Sequence, residues 1–238
     1  MRTNKNQVVK TSLAGLMVAA FLCAGLQQAK AAVLANYNFN SSNGTSSDSD
    51  TLSGAGTFAA TGITTTYGTP SFGSYGVAFR ADSYNLSNTR NNAQYYSFTI
   101  TPTAGYMLNL GGNGALTFDI SRNAVITSWT FSYAVRCSLD GYASDIATGS
   151  ISANNSWVNQ SVNLSSAFNS QAGGVTFRIV VWDNATPLAS GYNFGNVDNV
   201  ILNGTVAPVP EPVNTALGVF GLCVVGVGVG RRYLRNRS

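Results

Sequence analysis

The stretch Val175-Thr176-Phe177-Arg178-Ile179-Val180-Val181-Trp182 decides the fold. Its odd positions, Val175, Phe177, Ile179 and Val181, are all apolar, while Arg178 and Trp182 share the even set. Successive side chains of a strand point to opposite faces, so the pattern predicts a half-buried β-strand with one core face. The same period recurs outward in both directions. Tyr96-Ser97-Phe98-Thr99-Ile100, Leu116-Thr117-Phe118-Asp119-Ile120 and Trp129 to Val135 alternate clearly. Leu34 to Phe39, Val158 to Leu164 and Asn196 to Leu202 are weaker strand patterns. Turn formers separate them: Thr101-Pro102, Gly111-Gly112-Asn113-Gly114, Asp140-Gly141, Asn154-Asn155, Gly173-Gly174 and Asn184 to Pro187. No capped amphipathic helix interrupts the series. The expectation is an all-β, two-sheet antiparallel sandwich, jelly-roll-like. Residues 41–66, rich in Ser, Gly and Thr, read as irregular chain or weak edge strands. Gly204 to Val209 reads as a linker.

The two ends are of different composition. Arg2, Lys5 and Lys10 precede an apolar run from Leu13 to Leu26, and Ala29-Lys30-Ala31 offers small residues at the −3 and −1 places. This predicts a signal peptide over 1–31, its apolar part a signal helix, cut after Ala31. The Sec translocon and a signal peptidase are the partners it implies. At the other end, Val209-Pro210-Glu211-Pro212 is followed by an uncharged stretch, 213–230, and then by Arg231, Arg232, Arg235 and Arg237. A helix over 213–230 would be about 27 Å long, enough to cross the hydrocarbon core once. The arginines would hold its far end in the cytoplasm. The expected organisation is a signal over 1–31, a sandwich over 32–206 and a tail over 207–238.

Val209-Pro210-Glu211-Pro212, the Gly-rich apolar span and the terminal arginine cluster together resemble the PEP-CTERM sorting tail of exported bacterial proteins. The resemblance implies a cut near the motif by an exosortase-type membrane protease. It also implies passage through the cytoplasmic membrane to the cell surface or outside, in company with exopolysaccharide. Tyr95-Tyr96-Ser97-Phe98, Gly105-Tyr106, Leu139-Asp140-Gly141-Tyr142, Val175 to Arg178 and Asp198-Asn199-Val200 resemble ectodomains that recur ahead of this tail. That group is a β-sandwich without an assigned reaction.

Charge and cysteine narrow the chemistry. The formal charge of +4 comes from the two ends. Between Ala32 and Val209 the five arginines Arg80, Arg90, Arg122, Arg136 and Arg178 face eight aspartates, a balance of −3, with no Lys. Nucleic-acid binding has no electrostatic footprint there. The chain has no His, which excludes Ser-His-Asp and Cys-His catalysis. Without Lys, a Ser-Lys pair is excluded from the sandwich too. Cys137 is the single cysteine between the two ends, so it has no disulfide partner there and reads as a buried thiol.

Three candidate chemistries remain. A glycosidase needs two carboxylates about 5 to 9.5 Å apart. Asp140 and Asp145 flank Gly141-Tyr142, but aspartates in polar loops mostly bond their own backbone. A non-catalytic protein is therefore expected. Jelly-roll carbohydrate-binding modules often hold a structural calcium, and Asp198 is the natural ligand here, set against a strand-end hydrogen-bonding role. No other cofactor is implied. For glycan binding, Arg178 and Trp182 on one strand face, with Tyr142 and Tyr192 beside glycines, would form a platform and rim. Trp129 shares a face with Phe131, Tyr133 and Val135 and is expected in the core; Trp157 is undecided. The main reading is an exported surface or matrix protein associated with polysaccharide. The alternative is a specific carbohydrate-binding module, and a secreted glycan-cleaving enzyme ranks third.

Overall fold

The computed structural model describes residues 30–48, 50–69, 76–82, 86–124, 129–153, 155–184, 193–210, 220–221 and 223. The strands run β1 (Lys30–Tyr37), β2 (Ser53–Ala55), β3 (Ala59–Thr61), β4 (Thr65–Gly68), β5 (Ala78–Asp82), β6 (Tyr95–Pro102) and β7 (Tyr106–Asn109). They continue as β8 (Gly112–Ala124), β9 (Phe131–Cys137), β10 (Ala147–Ile151), β11 (Ser156–Leu164), β12 (Val175–Asp183) and β13 (Asn193–Pro208). Single 3-10 turns occupy Ser138–Asp140 and Ser166–Phe168.

Among the described residues these strands form two sheets. The seven-stranded sheet has the order β11-β8-β13-β5-β4, with β1 and β7 also on β13. The six-stranded sheet has the order β10-β9-β12-β6-β2, with β3 also on β6. β12 is antiparallel to both β6 and β9, and β13 to β1, β5 and β8. The all-β two-sheet sandwich read from the alternation is the architecture found.

The pleat explains the packing. Val175, Phe177, Ile179 and Val181 of β12 are buried to 0% exposure, facing Phe98 and Ile100 of β6 and Phe131 and Val135 of β9 on the same side. Rings then bridge the two sheets: Tyr37 of β1 lies 5.4 Å from Phe98, Phe79 of β5 lies 5.4 Å from Tyr96, and Phe118 of β8 lies 5.1 Å from Tyr133. Each fully buried large apolar side chain contributes roughly 1.5–3 kcal/mol, and aromatic pairs add about 0.5–1.5 kcal/mol. Cys137 is buried among them, and burial pushes its thiol up in pKa. Trp129 is buried as expected.

Several boundaries differ from the sequence reading. Gly112, Asn113 and Gly114, read as a turn, open β8. Gly204 to Pro208, read as a linker, is the end of β13, paired with β1 as far as Lys30↔Val206. Polar and glycine-rich chain is strand here because a neighbour supplies the hydrogen bonds. β1 also starts at Lys30, so a cut after Ala31 would remove its first two pairs. Residues 41–66 contain β2, β3 and the start of β4, short strands on the sheet margins.

The chain divides into two compact units, Met1–Ala207 and Pro208–Ser238. In the second, helical backbone is described at Phe220, Gly221 and Cys223. Among the described residues no helix is long and apolar enough to cross a membrane. Residues 1–29, Glu211, Pro212, nearly all of 213–230 and the four terminal arginines lie outside the described residues.

Candidate functional site

The outward face of β12 carries the candidate site. Arg178 is paired with Ser97 of β6 on one flank and with Arg136 of β9 on the other. Two residues on, Val180 is paired with Tyr95 and Ala134, and Trp182 is paired with Ser132. The parity that sends Tyr96 and Phe98 into the core turns Tyr95 outward beside Arg178. The Arg178 guanidinium carbon lies 4.2 Å from the Tyr95 ring centre and 3.6 Å from that of Tyr142. Two phenol rings thus cover it.

Tyr142 reaches this position from the turn after β9. The backbone turns left-handed at Gly141 (φ 67°) and again at Tyr142 (φ 63°). For a residue with a side chain that conformation costs roughly 1–2 kcal/mol. The surrounding bonds hold it in place. The Gly141 N–H donates to the Ser138 carbonyl at 3.1 Å and the Tyr142 N–H to the Cys137 carbonyl at 2.9 Å. The Asp140 carboxylate accepts the amides of Ala143 and Ser144 at 3.2 and 2.9 Å, and the Ser144 bond leads in holding its pKa down. Arg136 donates to the Tyr142 carbonyl at 2.9 Å, fastening the turn to the sheet.

A second network closes over the same face. Asp145 accepts both Nη of Arg90 at 2.6 and 2.5 Å, and Nε of Arg136 at 2.7 Å. The hydrogen bonds from Arg90, then those from Arg136, hold its carboxyl down to about 2 against the opposing effect of desolvation. Arg90 also sits 5.5 Å from the centre of the half-buried Trp182 ring. Arg90 comes from the segment that runs beside the end of β12, where Gln94 and Ser87 carbonyls accept the Val181 and Asp183 amides. Asp145 comes from the β9–β10 connection on the other flank. The ion pair therefore crosses the outward side of β12. Outward-pointing Val180 and Ala134 are 1% and 0% exposed, although the pleat turns them away from the core.

Of the residues singled out in the sequence, Arg178, Trp182 and Tyr142 share this face, and Tyr192 lies outside the described residues. Tyr95, Arg90, Arg136 and Asp145 were not singled out as ligand contacts. Tyr95 was detectable by parity, being of opposite phase to Tyr96. The other three meet through chain separations of 9 and 55 residues, which no local pattern encodes. Trp157 lies half-buried on the outward side of the other sheet, paired with Ser121.

Asp198 stands elsewhere, on the outward side of the seven-stranded sheet. It is 2% exposed and directly opposite Asp119 on β8. Burial, with a smaller contribution from Asp119, pushes its carboxyl up to about 7. One of its oxygens accepts the Asn199 amide at 2.8 Å, while Asp119 accepts the side-chain amides of Asn159 and Asn199 at 2.8 and 2.9 Å. Among the described residues no group of three or more His, Cys, Asp or Glu is placed to hold a metal. Calcium takes six to eight oxygens, and Asp198 and Asp119 are the two carboxylates that meet here. Asp198 serves hydrogen bonding at the β13 bulge, where Asn199 has φ 47°. A separate groove of about 520 Å³ follows β1 and β13, lined by small and amide side chains such as Asn109, Asn169 and Asn203. It holds none of the candidate residues.

No family model matches the chain, and no curated protein matches it significantly. Solved structures of similar shape include a xylan-binding domain from Paenibacillus barcinonensis, at 11% identity and TM-score 0.40, covering 77% of this chain and 99% of that one. A carbohydrate-binding module that recognises mannan aligns at 8% identity and TM-score 0.37, covering 74% and 98%. An arabinose-bound α-L-arabinofuranosidase aligns at 10% identity and TM-score 0.36; the match covers 76% of this chain and only 27% of the enzyme. Similarity at these values transfers no residue role and no ligand.

Proposed function

We propose that the sandwich is a non-catalytic carbohydrate-binding module whose site is the outward face of β12. The observation that carries this reading is the Tyr95–Arg178–Tyr142 stack, with Trp182 two rungs further along the same strand face. Sugar rings stack on aromatic faces, and guanidinium N–H groups donate to sugar oxygens. This face supplies both on a rigid central strand. The specific module is thereby favoured over the broader reading of a passive matrix component. Non-catalysis is supported by the engagement of the nearby carboxylates, Asp140 on backbone amides and Asp145 on two arginines. The PEP-CTERM-like ends belong to the same proposal: export through the Sec translocon, cutting by an exosortase-type protease, and display where extracellular polysaccharide is present.

The test is affinity electrophoresis of the full chain, in mild detergent, through gels containing a panel of soluble polysaccharides. Retardation by at least one polymer, lost in Trp182→Ala and in Tyr142→Ala, is the expected result. Retardation by none would overturn the reading.

A further inference from the structure

The same face suggests which polysaccharides it takes, an inference that rests on the function proposed above. Three of the five arginines of the sandwich, Arg90, Arg136 and Arg178, lie on it, although the sandwich as a whole carries a balance of −3. Arg90 and Arg136 share the one carboxylate of Asp145. Arg178 is different. Its two flat faces are covered by Tyr95 and Tyr142, and among the described residues no carboxylate pairs with it. Its Nε is buried and has no hydrogen-bond partner. A buried N–H without an acceptor is destabilising, the more so when it carries charge. With the faces covered and Nε buried, the pair of Nη groups is the side left for a ligand, and their planar N–H pair matches a carboxylate's two oxygens.

We infer that Arg178 is the receptor for a sugar carboxylate, so that the module prefers acidic, uronate-containing polysaccharides over neutral ones. The rings hold the guanidinium plane in place before the ligand arrives. Trp182, on the same strand face, would stack a neighbouring sugar unit of the chain.

The experiment compares sodium polygalacturonate with the same polymer after reduction of its carboxyl groups, using the full chain and isothermal titration at two salt concentrations. The expected result is at least about tenfold tighter binding of the native polymer, as a bidentate charge-assisted pair would give. Arg178→Gln should abolish the preference, the affinity for the native polymer falling at least about tenfold to that for the reduced one. Arg178→Lys, which keeps the charge but loses the fork, should lose most of it. Equal affinity for the two polymers would overturn the inference and leave the module intact. So would a preference that survives in Arg178→Gln, or equally tight binding of dextran sulfate. Binding of neither polymer, together with a blank panel of neutral polysaccharides, would overturn both.

Discussion

Tyr142 holds a left-handed backbone, φ 63°, and its ring centre lies 3.6 Å from the guanidinium carbon of Arg178. The strained residue and the stacked residue are therefore one arrangement. Tyr142→Phe should bind polysaccharide within about twofold of the parent, since the ring is kept. Tyr142→Gly should lose about tenfold or more in binding, yet melt within a few degrees of the parent. Relief of roughly 1 kcal/mol of backbone strain offsets a lost cation–π contact of about 0.5–1 kcal/mol. A Gly variant that binds normally would show that the ring does not touch ligand.

Asp145 gives a prediction in acid. Its pKa, about 2, is depressed from 3.8, so its contribution to stability is complete above the unfolded value and is lost as pH falls from about 4 towards 2. Asp145→Asn should lower stability at pH 6 by at most about 1 kcal/mol, because the pair is partly exposed. At pH 2 parent and variant should converge. Thermal melts across that range check it; a difference independent of pH would count against the ion pair.

Asp198 gives the opposite sign. Its pKa is raised to about 7, so the folded state is favoured while the group is protonated, and stability declines as pH rises from the unfolded value through about 7. Asp198→Asn should flatten this decline and melt higher than the parent at pH 8. The same melts with added calcium should show no specific stabilisation. A calcium-dependent rise abolished in Asp198→Asn would restore the metal role.

Gly195 tests the sandwich itself. A Cβ there would lie 2.4 Å from the Phe131 ring, which comes from the opposite sheet. Gly195→Ala should cost about 1–3 kcal/mol through overpacking. Denaturant unfolding measures it, and a neutral result would mean that Phe131 has room to move.

The sequence is readable where burial is one-sided. β12 shows its core and outward faces because every second residue meets the other sheet, and this gave the architecture together with Arg178 and Trp182. It is unreadable where pairing depends on a distant neighbour. Gly204 to Pro208 has no alternating apolar set, and its strand character comes from β1, more than 160 residues away in the chain. The Arg90–Asp145 pair is hidden for the same reason. Asp198 was read as a calcium ligand or a strand-end hydrogen-bonding residue, and its place opposite Asp119 was hidden, a relation fixed by the register of β8 and β13.

β13 has a mechanical consequence. It is bonded to β5 near its start, to β8 from Asn193 as far as Leu202 and to β1 as far as Val206, and the strand ends at Pro208. Tension entering at Pro208 along the strand, opposed by a polymer gripped on the other sheet, would load these bonds together in shear. They would not be peeled apart one at a time. Such a sandwich would resist drag far better than its modest charge and lack of disulfides would suggest.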